Sequence, residues 1–179
     1  RLDTLDAAGA RGAHTYAEVR GGANTVDAYD LIQPAPRGEG LARSMRLALR
    51  EAGVDPSEVG TINCHGTGTK HNDQAESDAA IDVFGNDGPA LTSTKAVTGH
   101  PGPAAGGLEA VALAMTIDRG LIPQTQWWQT PDPEIAADAL SDERSPLTDR
   151  ELDVLRAGAR GETVAEIAAS LHLSSGTVR

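Results

Sequence analysis

The chain has a single cysteine, Cys64, in 179 residues. That excludes an internal disulfide framework and a cysteine-rich zinc site. Aromatic residues make up only 3% of it, so any core must be built from Ala, Val, Leu and Ile. No apolar run approaches the roughly 20 residues of a membrane span, and no secretory leader pattern opens the chain. The cytoplasm is the expected compartment, with no membrane partner. Positive charge is scarce: 15 Lys and Arg stand against 26 Asp and Glu, a net charge of −11. Such a balance argues against a general surface for nucleic acid or anionic membrane. What is abundant is glycine, 20 residues, within a chain that is 39% hydrophobic. That suits an α/β protein with small-residue packing, one domain or one domain plus an appendage. The sequence begins at Arg1 rather than Met and stops at Arg179 in mid-pattern, so both ends read as cuts.

Alternation over 15–19, TYAEV, predicts a short strand. Residues 41–52 place Leu41, Met45 and Leu49 on one helical stripe that Gly53 closes. TINC, 61–64, predicts a second strand. Asp73 and Glu76 have capping-box spacing ahead of a stripe of Ala75, Ala79 and Val83 that stops at Gly85. LTST, 91–94, predicts a third strand. Residues 104–118 are apolar on nearly every face, which predicts a buried helix ended by Gly120. Strand and helix alternate, so the expected fold is a layered α/β structure with a parallel or mixed sheet. From about Pro131 the pattern gives way to the polar linker PDPEIAADALSDERSP. Two short amphipathic helices follow, the second with Val164, Ile167, Ala168 and Leu171, in a helix-turn-helix outline.

Two histidines fall just beyond strand carboxyl ends, where α/β folds build sites. His65 opens onto Gly66-Thr67-Gly68-Thr69, and His100 lies in TKAVTGHPGPAAGG. Lys95 follows the third strand. Glu109 lies one to two turns into an apolar helix, so its charge needs a partner. The simpler reading of each histidine is a loop organiser bonded to backbone. Two in equivalent places, with Lys95 and Glu109, favour a functional site. GTGTKHN does not match a phosphate loop. His65, His71 and Asp73 lack a familiar metal spacing, so no metal is expected. Cys64 and His65 are adjacent strand residues and point to opposite faces, so Cys64 reads as strand packing rather than a nucleophile.

NCHGTGTKHND, LTSTKAVTGHPGPAAGGLEA, GLIPQT and PDPE, together with RGAHTYAEVRGGANTVDAYDLIQPAP, resemble the carboxy-terminal half of the β-ketoacyl-acyl-carrier-protein synthases. The resemblance covers residues 1–135. It implies a thiolase-like α/β half, a layered sheet with helices on both faces, in a family that is usually homodimeric. It also implies decarboxylative condensation of malonyl-acyl-carrier protein in fatty-acid or polyketide synthesis. By resemblance, His65 and His100 are the two active-site histidines, Lys95 orients the site, and Glu109 is the buried acid beside it. Thr67 and Thr69 would position the phosphopantetheine arm of the acyl carrier protein, and no bound cofactor is implied. Neutral imidazole N–H groups aimed at the developing oxyanion are worth about 3–4 kcal/mol per donor in comparable sites. The family's nucleophilic cysteine belongs to an amino-terminal half, so this chain alone is not expected to complete condensation. Cys64 stands where the family has a small or acidic residue, Pro103 where it has glycine, and the late closing loop is replaced by the linker.

SPLTDRELDVLRAGARGETVAEIAASLHLSSGTVR, 145–179, resembles the LuxR/NarL-type helix-turn-helix, with Arg179 inside the recognition helix. The implied domains are 1–135, a linker at 136–146, and a partial all-α helix-turn-helix at 147–179. Residues 141–179 hold five Arg and seven Asp or Glu, a sum of −2, which offers little to DNA phosphates. Ser175, Thr177 and Arg179 are the candidate DNA contacts. The alternative function is a LuxR-type regulator with a ketosynthase-derived amino-terminal piece, or an inactive fusion.

Overall fold

The computed structural model describes residues 1–127, 129–133 and 135. Its regular elements are α1 (Leu5–Ala10), α2 (Glu39–Ala52), β1 (Thr61–Asn63), α3 (Lys70–Phe84), β2 (Ala90–Thr92), α4 (Lys95–Thr98) and α5 (Ala105–Arg119). Three 3-10 turns join them, at Pro36–Gly38, Pro56–Glu58 and Gly102–Ala104. The chain forms two compact units. Of the described residues, one comprises 20–112 and those from 122 on, the other 1–19 and 113–121.

The larger unit is built on a βαβ crossover. β1 and β2 pair in parallel, Thr61 opposite Ala90, Ile62 opposite Leu91 and Asn63 opposite Thr92. Parallel strands need a long connection, and α3 supplies it. The ladder runs one step further, because the Cys64 N–H donates to the Thr92 carbonyl at 2.7 Å. α3 turns Ala75, Glu76, Ser77, Ala79 and Ala80 inward, a face narrow enough for close packing. Against it lies the turn at Pro36–Gly38. Gly38 has φ +60, and a Cβ there would overlap the Ala75 carbonyl, so only glycine admits this approach. α2 follows and ends at Gly53, φ +64, with the Val54 N–H returning to the Leu49 carbonyl. Arg46 bridges α2 to Asp82 on α3 at 2.9 Å. The incoming segment is tied to α2 by bonds from Gly22 N–H to Glu51, Ser44 to the Ala23 carbonyl and Thr25 to the Gly40 carbonyl.

In the smaller unit, Thr4 caps α1 by accepting the Ala7 N–H at 3.2 Å. His14 Nε2 meets Asp118 Oδ1 at 2.6 Å, and Tyr16 packs edge-on to the His14 ring. Gly120, φ +64, ends α5 as the sequence predicts.

Three expectations are corrected. Residues 15–19 form no strand: β1 and β2 are the sheet found among the described residues, and Val19 is 78% exposed. Alternation prepares a segment for pairing, but a strand exists only where a neighbouring edge supplies the bonds. The helix after β1 starts at Lys70, behind Thr69, so Asp73 and Glu76 form no capping box. Asp73 lies in the first turn, and Glu76 is engaged elsewhere. α5 is present but not buried: Leu108, Val111 and Met115 are exposed, Val111 at 57%. An all-round apolar helix needs cover on every side, and the described residues do not provide it. The linker beyond 136, the helix-turn-helix, and with it Ser175, Thr177 and Arg179, lie outside the described residues.

Candidate active site

β1 delivers His65 just past its last ladder bond, and β2 delivers Lys95 two residues after Ser93. Gly66 lets these two loops touch. It has φ +50, and a Cβ would collide with Ser93 Oγ, which instead donates to the Gly66 carbonyl at 3.2 Å. The short helix α4 and Gly99, φ +68, bring His100 back toward the same place. α5 then presents Glu109 one turn inside its start.

The four residues converge. Lys95 is only 7% exposed, and its Nζ pairs with Glu109 Oε1 while lying 3.1 Å from His65 Nδ1. The His65 and His100 rings stand edge to face with centroids 5.0 Å apart. An ammonium held by a carboxylate only donates, so His65 Nδ1 is the acceptor and Nε2 carries the proton. His100 Nδ1 accepts the Gly102 N–H at 3.1 Å, which places its proton on Nε2 as well. His65 and His100 are both exposed, while Lys95 is buried. The half-buried charge of Glu109, which the sequence said needs a partner, has one in Lys95. In the turn that follows His65, the Thr67 and Thr69 hydroxyls lie 2.8 Å apart. Among the described residues no cluster of three His, Cys, Asp or Glu side chains forms a metal cage.

Cys64 belongs to the packing. Burial, then the charges of Glu76 and Asp73, push its thiol up to about 12. A thiol so held is protonated at neutral pH and a poor nucleophile. The sequence reading missed Glu76. Its Oε1 accepts the His65 N–H at 2.6 Å; its Oε2 accepts the Gly66 N–H and the Asn72 amide, each at 2.7 Å. The available signal was an acid between Ala75 and Ala79 on the inward face of α3, which no buried site tolerates without donors.

Two histidine rings, one of them backed by a lysine–carboxylate pair, thus lie beyond the ends of two parallel strands. The family profile described as Beta-ketoacyl synthase, C-terminal domain, matches residues 16–127, and the chain belongs to that family. The profile described as Bacterial regulatory proteins, luxR family, matches residues 145–179. The chain is 41% identical over 148 residues to 3-oxoacyl-[acyl-carrier-protein] synthase 2 of Staphylococcus aureus, covering 82% of this chain and 37% of that protein. It is 42% identical over 139 residues to the Synechocystis sp. protein of the same name, covering 76% and 33%. The chain thus spans about a third of the length of the curated relatives it matches. Among solved structures, the ishigamide ketosynthase/chain length factor gives a TM-score of 0.73 at 41% identity, covering 77% of this chain and 34% of that one. A β-ketoacyl synthase from Burkholderia phymatum STM815 gives 0.71 at 34% identity, covering 77% and 33%. The fold class is therefore the α/β thiolase-like class of the ketosynthases.

Proposed function

We propose that residues 1–135 act as the carboxy-terminal catalytic part of a β-ketoacyl-acyl-carrier-protein synthase. Residues 136–146 then serve as a linker and 147–179 as a partial helix-turn-helix. The observation that carries this reading is the pair of exposed rings 5.0 Å apart, each with its Nδ1 already in a hydrogen bond. The substrate is a malonyl thioester on the phosphopantetheine arm of an acyl carrier protein. Its C–C bond breaks, carbon dioxide leaves, and the electron pair moves onto the thioester oxygen. His65 and His100 donate to that oxygen, where preorganised donors act without reorganisation. Lys95 holds His65 in the required tautomer, and Glu109 holds Lys95 in place. Thr67 and Thr69, whose hydroxyls lie 2.8 Å apart, would bond the arm in this reading. The acyl group for condensation needs a covalent nucleophile. Cys64 is unsuited to that role, so an amino-terminal ketosynthase half is the required partner, in an assembly that pairs two copies.

The test is carbon dioxide release from malonyl-loaded carrier protein, by the full chain alone and with an amino-terminal half supplied. Release under at least one condition is expected. Absence under both overturns the reading.

The luxR-family match at 145–179 favours a second reading, a DNA-binding regulator contacting DNA through Ser175, Thr177 and Arg179. Titration of labelled promoter DNA at low salt tests it. Binding that weakens as salt rises supports it, and absent or salt-independent binding rejects it.

A further inference from the structure

Glu76 is a charged side chain only 9% exposed, and it does not cap the start of α3. Its two oxygens are aimed at the backbone immediately after β1. One takes the N–H of His65 itself, at 2.6 Å; the other takes the N–H of Gly66, at 2.7 Å. Asn72, one helical turn earlier, donates to the second oxygen at 2.7 Å and also to Asp73 at 3.0 Å. The carboxylate thus grips two consecutive peptide groups from one side and is itself fixed by a third donor. Charge-assisted bonds of this kind are shorter and roughly twice as strong as neutral ones.

The consequence reaches the imidazole. The His65 ring meets Lys95 Nζ at 3.1 Å only if the His65 backbone is held at one place and angle. Ser93 fixes the far side of the same turn through the Gly66 carbonyl. Glu76 is the group that fixes the near side, and it does so from a helix rather than a loop, which gives precision. The geometry points to Glu76 as the positioning residue of His65, acting through the peptide backbone to keep Nδ1 on Lys95 and the proton on Nε2. This deepens, and its functional part rests on, the assignment of His65 as an oxyanion donor. Only an acid suits the position. A glutamine has one acceptor oxygen, and its amide group would face N–H donors it cannot bond.

The experiment uses the full chain with ¹⁵N-labelled histidine and reads ring-nitrogen shifts at pH 8. In wild type, His65 is expected in the Nε2–H form, with the His65 and Gly66 amide protons downfield and slow to exchange. Glu76→Gln is expected to turn His65 into a mixture of tautomers while His100, held by Gly102, keeps its form. Glu76→Asp retains both oxygens on a shorter arm and is expected to give a smaller change of the same sign. In malonyl-thioester decarboxylation, misplacing one donor by about 1 Å corresponds to roughly a 100-fold fall in kcat, with KM little changed. A folded Glu76→Gln protein with unaltered His65 ring signals overturns the proposal. If the variant does not fold, ordinary shifts and fast exchange of the His65 and Gly66 amides in wild type overturn it. The spectra do not depend on turnover, so a chain that releases no carbon dioxide but shows the tautomer change rejects the catalytic reading and leaves the positioning role standing.

Discussion

Replacing Glu109 by leucine should destabilise the chain far more than losing a surface ion pair would. Lys95 is 7% exposed, and its ammonium is shared between Glu109 and His65 Nδ1. Removing the carboxylate leaves a buried cation with one neutral acceptor. Breaking a buried pair from one side costs about 3–5 kcal/mol, whereas exposed pairs are worth about 0–1 kcal/mol. With a urea m-value of about 2 kcal/mol/M, the midpoint should fall by roughly 1.5–2.5 M. Lys95→Met should cost a similar amount, because it strands Glu109. The double variant Lys95→Met/Glu109→Leu removes both charges and should recover most of the loss. Its cost should then lie well below the sum of the two, with a coupling of a few kcal/mol. The assay is urea unfolding followed by far-ultraviolet circular dichroism on all four proteins. Additive costs, or a Glu109→Leu cost under about 1 kcal/mol, would refute the buried-pair reasoning.

Three other outcomes are expected. Cys64, with its thiol pushed up to about 12, should hold only about one part in ten thousand as thiolate at pH 8. Alkylation of the folded chain should therefore be at least ~1,000-fold slower than in urea, where a free cysteine titrates near 8.5; equal rates would contradict its burial. The same shift has a sign for stability: the unfolded thiol ionises first, so the contribution is full below about 8.5 and is lost as pH rises toward 12. A chevron or melt series from pH 7 to 10.5 should show Cys64→Ala losing less stability with pH than wild type. Gly66→Ala should cost about 1–3 kcal/mol, since φ +50 strains an L-residue and the new methyl meets Ser93; an unchanged melting temperature would count against the turn. Val111→Lys, on the exposed apolar side of α5, should reduce concentration-dependent light scattering by the full chain, and scattering unaffected by it would remove that face as the cause of self-association.

The site was legible because its chemistry is local. His65 and Lys95 each follow a strand end closely, and His100 comes soon after the second strand, beyond the one-turn helix α4, so reading the strands at 61–64 and 91–94 was enough to group them. Glu109 was legible as a charge in an apolar helix, and its partner is the lysine the sequence had already picked out. Glu76 was not, since its partners are backbone N–H groups ten and eleven residues away, which carry no sequence label. Its capping-box spacing with Asp73 was a coincidence of helix geometry: Thr69 starts the helix four residues before Asp73. The misreadings at 15–19 and 104–118 share one cause. Periodicity reports which faces a segment is ready to bury, while burial itself depends on what lies against them. TYAEV has no ladder among the described residues, and α5 has Val111 and Met115 in solvent.

The most direct test of the account compares carbon dioxide release from malonyl-loaded carrier protein by the wild-type chain, His65→Ala and His100→Ala, each supplied with the same amino-terminal half. Removing one preorganised donor should lower the rate about 100- to 1,000-fold in each variant. Release by either variant at the wild-type rate would contradict the assignment of the two histidines as the donors that carry the reaction.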